Sequence, residues 1–141
     1  MAYATLDDLI ERFGRGEIAS TNPDRNVPRG TLDGERVTRI LTDVSSTMDS
    51  YLQRRYVVPV SPIPPVLVRV CCQLARFDLA LGTANVPSEQ IRSGQQAAMA
   101  WLRDIGAGKA TLDAVAVVDN SESWSRFKGR TSFHGRGGSV L

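Results

Sequence analysis

Residues Tyr56 to Phe77 read "YVVPVSPIPPVLVRVCCQLARF", placing four prolines and two adjacent cysteines in an otherwise largely apolar run. Pro59, Pro62, Pro64 and Pro65 lock their own φ angles and push Val58, Ser61 and Ile63 toward extended backbone, so residues 57 to 64 are excluded from helix. A flexible linker would not interleave Val57, Val58, Val60 and Ile63 between its prolines. The stretch therefore predicts a stiff strap laid over helices, running as extended polyproline at about 3.1 Å per residue. The Pro64-Pro65 pair opens the next helix, since proline is tolerated in a first turn.

Helical periodicity surrounds the strap. Downstream, Leu67, Val70, Cys71, Leu74, Phe77, Asp78 and Leu81 recur at helical spacing until Gly82 stops them. Upstream, Val37, Ile40, Leu41, Val44, Met48, Tyr51 and Leu52 predict one long helix from Gly34 to Tyr56. Its other face carries Ser45, Ser46, Thr47 and Ser50, small polar groups that either face water or let another backbone come close. A further helix starts at Ser88 and runs through Ile91, Ala98, Trp101, Leu102 and Ile105 to Gly106 and Gly108. At the amino terminus "TLDDLIERF" predicts a short helix capped by Thr5, with Asp7 and Asp8 at its positive end and Gly14 as its stop. The glycine- and proline-bearing residues 14–30 lack any period and read as a long loop, a length that marks functional or mobile segments.

The fold class is thus all-α: a small bundle of about four helices with a proline-rich extended strap and an extended C-terminal arm. Residues 1–112 form the helical domain. Residues 113–141 form the arm, with "AVAVV" at 114–118 as one short strand. With 141 residues, 42% of them hydrophobic and 23% charged, the chain has the composition of one globular domain. No apolar run approaches a membrane span, and the acidic start does not resemble a signal peptide, so a cytoplasmic, non-membrane protein is expected.

The net charge of +2 is unevenly placed. The body is nearly neutral, whereas residues 121–141 hold Arg126, Lys128, Arg130 and Arg136 against Glu122 alone. Trp124, Phe127 and Phe133 lie among those cations, the mixture of aromatic anchors and arginine that dominates binding hot spots. That arm is expected to dock on a partner and to order there.

Catalytic chemistry has little to stand on. The single histidine, His134, lies in the arm. Cys71 and Cys72 are neighbours that a helix points in diverging directions, so neither a nucleophilic triad nor a zinc site is credible. Adjacent cysteines also suit a disulfide poorly, and both are read as reduced packing groups. Asp7 and Asp8 cap a helix, and Asp43 and Asp49 are placed on a wet face. No catalytic residue, metal or cofactor is expected, and the pattern argues against an enzyme.

Three segments carry a resemblance: "MAYATLDDLIERFG" at residues 1–14, "DSYLQRRYVVPVSPIPPVLVRVCCQLARFDL" from Asp49 to Leu79, and "AMAWLRDIGAGKATL" from Ala98 to Leu112. Together and in this order they resemble the Mu-like phage family of small head-tail connector proteins, over most of residues 1–112. The resemblance implies a virion structural role in the phage neck, assembled in the host bacterial cytoplasm. Copies would form a ring at the portal vertex, usually twelvefold like the portal, through which DNA passes without sequence-specific contacts. The portal protein and a tail-side neck or tail-terminator protein would be its partners. Such a ring needs two different faces to meet. The small-residue face of Ser45, Ser46 and Ser50 and the loop 14–30 are the surfaces nominated for that contact. The arm, through Trp124, Arg126, Phe127, Lys128, Arg130, Phe133 and Arg136, would bind portal or an adjacent copy. Two other readings stay open: a small nucleic-acid-binding module using the basic arm, in which "GRGG" at 135–138 resembles an arginine-glycine segment, and a small regulatory or toxin-antitoxin-like protein that dimerises through the long helix.

Overall fold

The computed structural model describes residues 2–83 and 86–117. Within them lie five helices: α1 (Leu6–Phe13), α2 (Arg15–Ser20), α3 (Gly34–Leu52), α4 (Pro65–Leu81) and α5 (Glu89–Ala107). The all-α bundle is as the periodicity predicts. Three long helices, α3, α4 and α5, pack on one another, and α1 lies on α3 and α4. Leu41, Met48, Leu52, Leu67, Leu79, Leu102 and Ile105 are buried at their common core.

Local sequence explains the boundaries. The Thr5 hydroxyl accepts the Asp8 amide at 3.3 Å while the Asp8 carboxylate accepts the Thr5 amide at 2.9 Å, a reciprocal capping box worth about 1 kcal/mol. Asp33 caps α3 through the Arg36 amide, and Ser88 caps α5 through the Ile91 amide. Gly108 closes α5 in the left-handed region at φ 81°, where its amide satisfies the last carbonyls.

Four expectations are corrected. The loop 14–30 contains a helix, α2, because Gly14, at φ 91°, turns the chain and lets Ile18 and Ala19 bury against the bundle. The rest of the loop is pinned by side chains: Asn22 and Asp24 accept the amides of Asp24 and Asn26, and Asn22 donates to the Thr31 carbonyl. The long helix stops at Leu52 rather than Tyr56, since Tyr56 is drawn into the bundle, where its hydroxyl accepts the Leu112 amide at 2.7 Å.

The strap does not run straight. The peptide bonds before Pro59 and Pro62 are cis and the backbone bends there, carrying Val60 into the core with Val58 and Ile63 packed beside it. Gly82 does end α4, but at φ −75°, a conformation open to any residue. Its missing side chain serves Arg36 instead: a Cβ at Gly82 would lie 2.0 Å from the guanidinium, which donates to the carbonyls of Thr21 and Leu79.

The valine-rich segment after α5 forms a single antiparallel bridge, Ala116 to Tyr56, in place of a strand. The Val57 amide donates to the Val115 carbonyl at 2.8 Å and the Val117 amide to the Arg55 carbonyl at 2.9 Å. The chain thus stays clipped to the end of the bundle through Val117.

Candidate assembly surface

The surfaces of the bundle carry the functional question. They are organised around the amino-terminal segment. Tyr3 is 2% exposed and its phenol sits between α3 and the strap. The Tyr3 amide donates to the Ser45 hydroxyl at 2.8 Å, the phenol donates to the Asp49 carboxylate, and the Val60 amide donates to the phenol at 3.0 Å. Ser45 in turn donates to the Leu41 carbonyl at 2.8 Å and lies 3.6 Å from the Cys71 sulfur. Burial, reinforced by the hydrogen bond to Asp49, pushes the Tyr3 hydroxyl up to about 12.

This corner changes the reading of the serine face. Ser45 is 1% exposed and lies inside the subunit, so it cannot meet a neighbouring copy. A backbone does come close to it, as small polar groups permit, but the backbone is that of the chain's own residue Tyr3. Ser46 and Ser50 remain exposed. Asp49 is half-buried under Tyr3 and is not a wet-face carboxylate. Nothing in the local sequence flags Tyr3 as the hub, because its partners lie 42 to 57 residues away.

Cys71 and Cys72 are free and fully buried. Burial raises the thiol of Cys71, and burial with the neighbouring Cys71 raises that of Cys72 to about 12, so neither is held as a thiolate at neutral pH. Among the described residues no group of three or more His, Cys, Asp or Glu is placed to hold a metal, and no helix is long and apolar enough to cross a membrane. Asp78 is raised by partial desolvation and by the nearby charge of Asp43.

On the far side, α2 is locked to α4. Arg76 donates to both carboxylate oxygens of Glu17 at 2.6 and 2.7 Å and its guanidinium stacks 4.2 Å from the centre of the Phe13 ring. Between α2 and the loop that follows lies an open recess of about 610 Å³, bordered by Asn22, Arg25, Pro28 and Arg29. The nominated arm residues Trp124, Arg126, Phe127, Lys128, Arg130, Phe133 and Arg136 lie outside the described residues.

Comparison with known proteins gives this arrangement a family. The model of the family described as Bacteriophage Mu, Gp36 matches residues 3–127. The chain belongs to that family. Gene product J of Escherichia phage Mu is 32% identical over 109 residues, covering 77% of this chain and 74% of the relative. The Mu-like prophage FluMu protein gp36 of Haemophilus influenzae is 37% identical over 112 residues, covering 78% of this chain and 74% of that protein. The matched span of the Gp36 family takes in all five helices, the strap and the Tyr56–Ala116 bridge, and continues into the arm. The chain is therefore a Mu-like phage protein.

Proposed function

We propose that this Gp36-family chain is a head-tail connector of a Mu-like phage or prophage. Copies assemble as a ring at the portal vertex, twelve if the ring follows the portal, and the genome passes through without sequence-specific contacts. The portal on one side and a neck or tail-terminator protein on the other are its partners, and the virion neck is its location. It does no catalysis.

The observation that carries this reading is the family match over residues 3–127, which covers the same three segments that resemble small connectors. The bundle supports it physically. Its polar interior is used to tie segments together: among the described residues every buried side-chain nitrogen and oxygen has a hydrogen-bond partner. The Tyr56–Ala116 bridge holds the chain to the bundle through Val117; the basic and aromatic residues that would bind portal or an adjacent copy follow it in the sequence.

Deleting the reading frame from the phage or prophage that carries it tests the proposal. Filled heads and finished tails should accumulate unjoined, and the purified chain should restore joining in the mixed lysate. A chain ending at Asn120 should fold but fail to do so. Joining of heads and tails without the protein overturns the connector role, and steeply salt-sensitive DNA binding by the arm would then favour the nucleic-acid module.

A further inference from the structure

The carboxy-terminal halves of α3 and α5 leave a groove of about 320 Å³, lined by Ser50, Tyr51, Arg54, Arg103, Gly106 and Ala107. Its floor is made of small residues at a close helix approach: a Cβ on Gly106 would lie 3.5 Å from the Tyr51 carbonyl oxygen. Arg54 and Arg103 stand exposed on its rim. Neither side chain has an ion pair or hydrogen bond among the described residues, where Arg76–Glu17 is the one salt bridge. Two guanidinium groups over one groove repel each other unless an anion joins them.

The opposite side of the subunit bears the matching charge. On α1, Asp7 and Glu11 are exposed four residues apart, hence on one ridge of the helix, and the side chain of neither has an ion pair or hydrogen bond among the described residues. Asp8, between them, is occupied by the capping box. At 100° per residue, Ser45 and Asp49, which face the amino-terminal segment, lie roughly 160° around α3 from Thr47 and Tyr51, which face α5. The acidic ridge and the arginine groove are thus on different faces, pointing away from each other.

We propose that the Arg54–Arg103 groove receives the Asp7–Glu11 ridge of a second copy of this chain. The inference rests on the ring reading and gives it an interface. Because the two faces differ and oppose, each copy offers one to either neighbour, the head-to-tail arrangement that closes into a ring when its rotation is right. The groove admits carboxylate side chains and not a whole helix, which is about 10 Å across. Guanidinium forks suit carboxylates through paired N–H···O contacts. Ser50 lines this groove, so one of the nominated serines stays at the contact while Ser45 does not.

The test uses the full chain during phage assembly. Glu11→Cys combined with Arg103→Cys should yield a ladder of disulfide-linked multimers in purified particles on non-reducing gels. Either single variant should run as monomer, since Cys71 and Cys72 are buried. Separately, Arg54→Glu with Arg103→Glu should lower incorporation into particles by about tenfold or more, and adding Asp7→Lys with Glu11→Lys should restore it. Particles that contain the double-cysteine chain but show monomer alone overturn this interface while leaving the connector reading intact. A folded charge-swapped chain, helical by circular dichroism, that is not rescued does the same. Absence of the unsubstituted chain from particles overturns both. If the arginine substitutions abolish DNA retention and the acidic ones change nothing, the groove belongs to phosphates and the contact is refuted.

Discussion

The two sides of α3 differ in how they treat polar groups. Toward the amino-terminal segment, Ser45, Asp49, Tyr3 and the Val60 amide are knitted together across more than forty residues of chain. Toward α5, Ser50, Arg54 and Arg103 border a groove and meet no partner carboxylate within the described residues. On the first side the chain's own backbone removes the polar groups from water, which forces each of them to find a partner or lose about 1–3 kcal/mol. On the second side water still reaches the charges, so they stay unpaired at little cost and are free for another molecule. A serine-rich helix face can accordingly be interior or interface, and the deciding factor is whether the same chain folds back over it.

Substitutions at the closed corner should have the largest effects. Tyr3→Ala removes a fully buried ring along with the two hydrogen bonds of its hydroxyl and should cost roughly 3–5 kcal/mol in a denaturant titration. Tyr3→Phe keeps the ring but strands the Val60 amide, at about 1–3 kcal/mol. The alkaline limb sharpens the point. Because the folded hydroxyl sits near 12 against an ordinary value near 10, the unfolded chain releases this proton first, and stability should be full below pH 10 and decline as pH rises toward 12. Tyr3→Phe should lack that part of the decline. An equal slope in both proteins would mean that the corner is wetter than its geometry indicates.

A middle effect belongs to the sulfur pair beneath the corner. Cys71→Ala with Cys72→Ala should cost on the order of 1–2 kcal/mol. Both native thiols should resist a thiol reagent at pH 8 until the protein is unfolded. Rapid labelling of folded protein would show that Cys71 and Cys72 are accessible. The smallest effect on stability should come from the open side: Arg54→Ser and Arg103→Ser should each shift unfolding by no more than about 0.5 kcal/mol, as surface positions do. A larger loss would place these arginines in the subunit's own packing and erase the contrast between the two sides.

Most helices were legible because their signals are local. Thr5 and Ser88 cap the amides three residues on, and the apolar positions of α3, α4 and α5 repeat within one turn. Pro65 starting α4 and Gly108 ending α5 follow from single-residue dihedral limits. Helix α2 escaped the sequence because six residues with a glycine among them carry too short a period to read, and it is held by Ile18 burial and the Glu17–Arg76 pair. The role of Gly82 was likewise hidden, since Arg36 comes from 46 positions away in the chain to fill the space beside it.

Candidate surfaces were legible as composition and not as position. Ser45, Ser46 and Ser50 share small polar chemistry, yet Tyr3 covers the first and leaves the others open. The arginines of the α3–α5 groove, Arg54 and Arg103, are 49 residues apart in sequence and no motif pairs them. What the sequence by itself determined is the helical class, the capped boundaries, the proline strap and, through recognisable segments, the Mu-like family, because each of these depends on neighbours within a turn or on runs of conserved order along one chain. Which polar face is sealed, where the strap buries Val60, and which charges remain unpaired was decided only by tertiary structure. Those properties depend on which distant segment takes the place of water, and a periodicity of 3.6 residues holds no information about that.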